Sequence, residues 1–191
     1  MAEKYIGVKF KAERIEGTVK EQEKAKEIVK WCKQCVKLNI APSYGKGTSG
    51  NLSIRAKEGF LITPTATFFE EINEEGIVKI IEVNLKNNLI KYKGNKLPSS
   101  ETLMHAILYK KLKNINAIFH THDEKVMKNY KLFSIPITAK EVPYGTKEVG
   151  ESLLEIAKDG NYLIMKNHGC VVLGKDAEEA GKRMVEMHNK L

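Results

Sequence analysis

A single α/β domain in which helices flank a largely antiparallel sheet is the fold class this sequence predicts. Three observations carry that reading. Short strand-like runs occur at 51–55, 60–63, 77–83 and 89–92, with connections too short for a parallel crossover. Helical periodicity recurs at 100–112, 123–130, 147–158 and from 176 to the end. The chain of 191 residues is long enough for one full hydrophobic core and too short for two comfortable ones.

The elements follow in order. Residues 1–17 form an amino-terminal extension, a strand or hairpin, because Tyr5-Ile6-Gly7-Val8-Lys9-Phe10 alternates apolar and polar side chains. The main domain then spans 18–191. Thr18-x-x-Glu21 has the form of a capping box, and Ala25, Ile28, Val29, Cys32 and Val36 continue as one apolar helical stripe to about Leu38. Asn87-Asn88 marks a hairpin between two of the short strands. Ser100 is expected to N-cap a helix whose apolar face is Leu103, Met104, Ile107 and Leu108. Asp176-x-x-Glu179 repeats the capping-box pattern before the last helix.

Composition narrows the function classes. No apolar run approaches the roughly 20 residues of a membrane span, and the amino terminus has no signal-peptide pattern, so a cytoplasmic protein with no membrane partner is expected. Three cysteines without an export signal argue against a disulfide framework, and Cys32-x-x-Cys35 falls on a helical stripe with no second pair to complete a zinc ribbon. The net charge of +8 comes from lysines interspersed with glutamates, which describes a solvated surface and not a nucleic-acid stripe. That positive field does favour an anionic small-molecule substrate.

The residues most suited to chemistry are histidines. Ala117, Phe119 and Thr121 alternate with Ile118, His120 and His122, so His120 and His122 leave a strand on one face. His168 lies 46 positions after His122, in a turn between the apolar runs 162–165 and 170–173, where Gly169 is expected to let the backbone reverse. Three imidazoles with an open fourth position are a catalytic zinc pattern. Glu101 begins the helix after Ser99-Ser100, close to a helix N-terminus suited to phosphate. The small-residue loop Gly47-Thr48-Ser49-Gly50-Asn51-Leu52-Ser53 and the segment Thr63-Pro64-Thr65-Ala66 add hydroxyls and amides of the same kind.

Gly50-Asn51-Leu52-Ser53, Thr63-Pro64-Thr65, Ser99-Ser100-Glu101, His120-Thr121-His122 and Asn167-His168-Gly169, in this order, resemble the motifs of the class II aldolase/adducin family. The similarity covers about 20–190. It implies an α/β/α sandwich with a central, mainly antiparallel sheet. It also implies one zinc ion per subunit on His120, His122 and His168, and a substrate-phosphate site from Gly50, Asn51, Thr65, Ser99 and Ser100. Glu101 matches the family's acid/base. A homotetramer with active sites between subunits, acting on a small-molecule sugar phosphate and binding no nucleic acid, is implied as well.

The motifs lie nearest the branch that cleaves L-fuculose 1-phosphate or a related deoxy-ketose 1-phosphate to dihydroxyacetone phosphate and a short aldehyde. Dehydration of methylthioribulose 1-phosphate, 4-epimerisation of a pentulose phosphate and a non-catalytic adducin-like role are the alternatives on the same scaffold. Two departures stand out. Ala66 occupies a position where relatives usually carry glycine, and the stretch from His122 to His168 is short. The tyrosines that serve the aldehyde half in the family have no clear match, so Glu141 and Tyr144, from the 130–146 loop of a neighbouring subunit, are expected to supply the second acid/base.

Overall fold

The computed structural model describes residues 6–191. Eight strands form one sheet in the order β1-β5-β4-β3-β2-β6-β8-β7. They are β1 (Lys11–Arg14), β2 (Asn51–Arg55), β3 (Phe60–Ile62), β4 (Val78–Asn84), β5 (Leu89–Lys93), β6 (Ala117–Thr121), β7 (Tyr162–Met165) and β8 (Gly169–Gly174). Every pairing is antiparallel except that of β1 with β5 at one edge. The first strand therefore starts later than the alternation through Phe10 suggests, and Tyr5 lies outside the described residues.

Five helices cover the sheet: α1 (Gln22–Lys37), α2 (Thr102–Lys111), α3 (Glu124–Asn129), α4 (Lys147–Ile156) and α5 (Ala177–Asn189). Two cores separate them. Ala25, Ile28 and Cys32 of α1 and Ala180 and Met184 of α5 pack with Leu52, Phe119 and Val172 on one face. Leu103, Met104 and Leu108 of α2 and Val149 and Leu153 of α4 pack with Ile62, Ile118 and Val171 on the other. Adjacent residues of β6, Ile118 and Phe119, thus enter opposite cores, as the two-residue period of a strand requires. The result is the expected α/β/α sandwich. Among the described residues no helix is long and apolar enough to cross a membrane.

Several local expectations are corrected. The capping box at Thr18 does not form: α1 begins at Gln22 behind Glu21, whose carboxylate pairs instead with Lys79 of β4. The ion pair outcompetes a local cap because strand β4 passes beside the helix entry. Ser100 is not an N-cap either. Glu101 occupies that position without a side-chain cap, and Ser99 takes over, its carbonyl accepting from Thr102 N–H and Oγ1–H at 3.1 and 2.6 Å. The box at Asp176 does form: Asp176 accepts from Glu179 N–H at 2.7 Å, and the Glu179 carboxylate accepts from Lys175 N–H. Cys32, Cys35 and Cys170 are all buried free thiols. Burial pushes all three thiols up, Cys170 to about 12, so none carries thiolate character at neutral pH.

Candidate active site

The sheet brings the distant histidines together because β6 lies beside β8. His120 shares the face of Ile118 and is fully buried under the start of α2. His122 follows the end of β6, its backbone held by an N–H bond to Ile40 O at 2.8 Å. His168 ends the β7–β8 turn. Asn167, at φ +59°, makes the left-handed reversal there, in place of the expected Gly169. The glycine has another duty: a Cβ at 169 would lie 2.6 Å from His120 Cε1 and 2.7 Å from Thr121 O. The tight β6–β8 approach at the site thus depends on the missing side chain. The turn is braced by Thr138, whose Oγ1 accepts from Lys166 N–H, and by Glu141, which accepts from Asn167 Nδ2 at 2.9 Å.

The three imidazoles offer ligand nitrogens all within 4.8 Å of one another. His120 Nε2 and His122 Nε2 are 3.2 Å apart. That is close to the roughly 3.4 Å between two ligands of a tetrahedral ion with bonds near 2.1 Å. His120 Nδ1 donates to Cys170 O at 2.9 Å, which leaves Nε2 as the nitrogen that faces the centre. Glu101 reaches the same point, with Oε2 3.0 Å from His120 Nε2 and Oε1 3.5 Å from His168 Nε2. Oε1 is buried without a hydrogen-bond partner. A divalent cation fits this donor set: three imidazoles and a buried carboxylate oxygen without a hydrogen-bond partner converge where a charge has to be neutralised.

The electrostatics agree. Burial alone would push the Glu101 carboxyl up, but the charges of His120 and His168 and the hydrogen bonds from His120 and Asn51 hold it well below the usual range. Burial likewise opposes charge on His120, yet Glu101 and the Cys170 carbonyl together raise it. His122 is held well below its ordinary value by burial and by the charges of His120 and His168. A neutral imidazole is the form that ligates.

Above this centre opens a cavity of about 500 Å³. Gly50, Asn51, Thr65, Ser99, Ser100 and Glu101 line it, as do His122 and His168. Cross-bonds bring the two hydroxyl-rich walls together: Ser99 N–H donates to Thr63 O and Thr65 N–H to Leu97 O. Gly50 sits at φ +95°, where a Cβ would lie 2.5 Å from His120 O. Ala66 also has positive φ, +49°, so the position that favours glycine carries a strained alanine.

Asn51 has a second duty besides lining the cavity. Its side-chain amide donates to Glu101 Oε2 at 2.8 Å and accepts from His105 Nε2 at 2.5 Å, and so also holds the carboxylate. Glu141 and Tyr144 line the cavity of their own chain. The Tyr144 hydroxyl accepts from Ile6 N–H at 2.7 Å and donates to Gly7 O at 3.1 Å, which ties it to the amino-terminal segment. In the sequence Ser53 stands only as part of its small-residue motif, and His105 and Tyr109 are not singled out. The signal was available for one of them, since Glu101 and His105 are four apart on a helix and so share a face.

Residues 26–191 match the model of the Class II Aldolase and Adducin N-terminal domain. A Methanococcus maripaludis protein named L-fuculose phosphate aldolase is 35% identical over 151 residues, covering 72% of this chain and 79% of its own length. A Methanocaldococcus jannaschii protein of the same name is 30% identical over 169 residues, covering 81% and 86%. A solved structure of an L-fuculose 1-phosphate aldolase superposes with a TM-score of 0.70 at 26% identity, over 89% of this chain and 84% of that one.

Proposed function

The chain belongs to the class II aldolase and adducin family and is a lyase of its aldolase type; from this premise we propose that it cleaves L-fuculose 1-phosphate or a close deoxy-ketose 1-phosphate. The products are dihydroxyacetone phosphate and a short aldehyde. The observation that carries the reading is the convergence of His120, His122, His168 and Glu101 at the base of a cavity walled by small polar residues. His120, His122 and His168 would hold one zinc ion per subunit, and the chemistry it supplies is Lewis-acid polarisation of the substrate carbonyl.

The chain's own residues do the rest. Gly50, Thr65, Ser99 and Ser100 seat the phosphate, joined by the remaining Asn51 amide hydrogen. Glu101 takes a proton from solvent as the substrate enters. Loss of the C4 hydroxyl proton then breaks the C3–C4 bond and leaves the electron pair on C3, where Glu101 Oε1 delivers that proton. The base that took the C4 proton returns it to solvent after the aldehyde leaves. Glu141, an exposed carboxylate in the cavity wall, is the group we assign to take the C4 hydroxyl proton. Tyr144, with its hydroxyl engaged by Ile6 and Gly7, positions the wall beside it. The enzyme is proposed to act in the cytoplasm as a homotetramer.

The test incubates the zinc-loaded protein with a panel of ketose phosphates and follows dihydroxyacetone phosphate by a coupled reductase. Formation of that product from a deoxy-ketose 1-phosphate supports the reading. A dehydrated or epimerised product in its place would move the chain to the dehydratase or epimerase branch. Glu141, as a second carboxylate at the site, gives the dehydratase its one specific support.

A further inference from the structure

A line of buried side chains runs from Glu101 away from the cavity, between α2 and the sheet. Asn51 Nδ2 donates to Glu101 Oε2 at 2.8 Å, and Asn51 Oδ1 lies 2.5 Å from His105 Nε2. His105 Nδ1 is 2.7 Å from Ser53 Oγ, which is 2.8 Å from the Tyr109 hydroxyl. Asn51, Ser53, Glu101, His105 and Tyr109 are all buried, Ser53 and His105 completely. His105 stacks on Phe60 with ring centroids 6.5 Å apart, and Phe60 also packs on Tyr109.

Chemistry gives this line a single direction. A carboxylate only accepts, so Asn51 must present its NH₂ to Glu101 and its carbonyl oxygen to His105. That oxygen only accepts, so His105 Nε2 carries the hydrogen. Burial pushes the imidazolium of His105 down to about 3, so the ring is neutral and Nδ1 is an acceptor. Ser53 must then donate to Nδ1 and accept from Tyr109. Each donor points toward Glu101, and the tautomer of His105 is set by its neighbours.

We propose that His105 is a positioning residue for Glu101, the hub of a Tyr109–Ser53–His105–Asn51 relay that commits Glu101 Oε2 and leaves Oε1 as the proton-carrying oxygen. The state of Oε1 supports this independently: it is buried without a hydrogen-bond partner, and it lies 3.5 Å from His168 Nε2 at the cavity. The relay stabilises the ionised carboxylate from the rear without contacting substrate. It rests on the acid/base role proposed for Glu101.

Three measurements test it on the zinc-loaded, full-length protein. In ¹⁵N-histidine spectra of the wild type, His105 is expected as the neutral Nε2–H tautomer from pH 6 to 8; an Nδ1–H tautomer overturns the proposal. His105→Phe preserves ring volume and removes both nitrogens. It should lower kcat about 10- to 100-fold, the scale of a displaced acid/base, with KM within about threefold and zinc stoichiometry unchanged. His105→Gln, whose amide can donate to Asn51, should recover most of that loss. A His105→Phe enzyme with wild-type kcat, or a Gln variant no better than Phe, overturns the proposal. If the wild type cleaves no ketose phosphate, the functional reading fails separately. The tautomer, and the Glu101 rotamer in a crystal structure of His105→Phe, then decide the relay: an unmoved carboxylate overturns it and a rotated one supports it.

Discussion

Glu101 is buried where desolvation alone would keep a carboxyl protonated, and three neighbours, His120, His168 and Asn51, reverse that preference. Replacing it with glutamine keeps the shape and the bond to Asn51 but removes the proton carrier. Glu101→Gln is therefore expected to leave fold and metal stoichiometry intact while lowering turnover by about 10² to 10⁴; steady-state rates beside elemental analysis check both halves. His105 makes a different prediction, about stability. Its folded value is pushed down to about 3 from 6.5 by burial, so the unfolded chain binds the extra proton between those limits. Stability from this group is present above about pH 6.5 and is lost as pH falls toward 3, with a slope approaching about 1.4 kcal/mol per pH unit. Denaturant melts of wild type and His105→Gln from pH 4 to 7 should show a shallower acid slope for the variant. Equal slopes would remove His105 from the acid sensitivity.

At the scale of elements, the site depends on how closely β6 and β8 approach. A methyl group at residue 169 would meet His120 and Thr121 inside 3 Å, and neither atom is at the end of a flexible chain. Gly169→Ala is expected to cost about 1–3 kcal/mol by overpacking and to weaken metal binding, because His120 is what must move. Calorimetric melts with and without zinc separate the two effects. The reverse case is Ala66, with its φ of +49°. Ala66→Gly should relieve strain of about 1 kcal/mol, read as a higher melting temperature. The β7–β8 turn shows why an element can be legible while its mechanism is not. The reversal beside His168 was evident between two apolar runs, but Asn167 makes it, because Asn tolerates the left-handed region and Gly169 is needed for clearance.

Across the whole molecule, the three histidines proposed as metal ligands join β6 to the β7–β8 turn, and Glu101 joins them to α2. An ion bound only by the folded chain stabilises it by about 2.7 kcal/mol at a hundredfold excess over Kd. Chelation is thus expected to lower the melting temperature by roughly 5–10 °C for a chain of this size. His168→Ala should abolish that shift, and a retained shift would place the ion elsewhere. Exposed Tyr44 lines the cavity, and exposed Leu97 accepts the bond that holds Thr65 in its wall. Apolar groups at the cavity rim are what a neighbouring subunit would cover. Sedimentation is expected to give a tetramer, and Leu97→Asp to shift it toward smaller species with loss of activity.

Periodicity and motif order in the chain were enough to foresee the sandwich, most of its elements and the candidate groups that the fold then gathers around one cavity. Strand and helix periods are local properties of the chain, and His120, His122, His168 and Glu101 lie in segments whose composition announces them. The tertiary structure alone decided which partners those groups found. Glu21 left its cap for Lys79, Asn51 bonded Glu101 from the cavity wall, and Tyr144 closed on Ile6 and Gly7. Each is a contest between a local hydrogen bond and a distant one, and burial settles it by making an unsatisfied polar group costlier than a long chain closure. No window of sequence contains both competitors, so the relay through His105 became visible only when the sheet had placed Asn51 and Ser53 beneath α2.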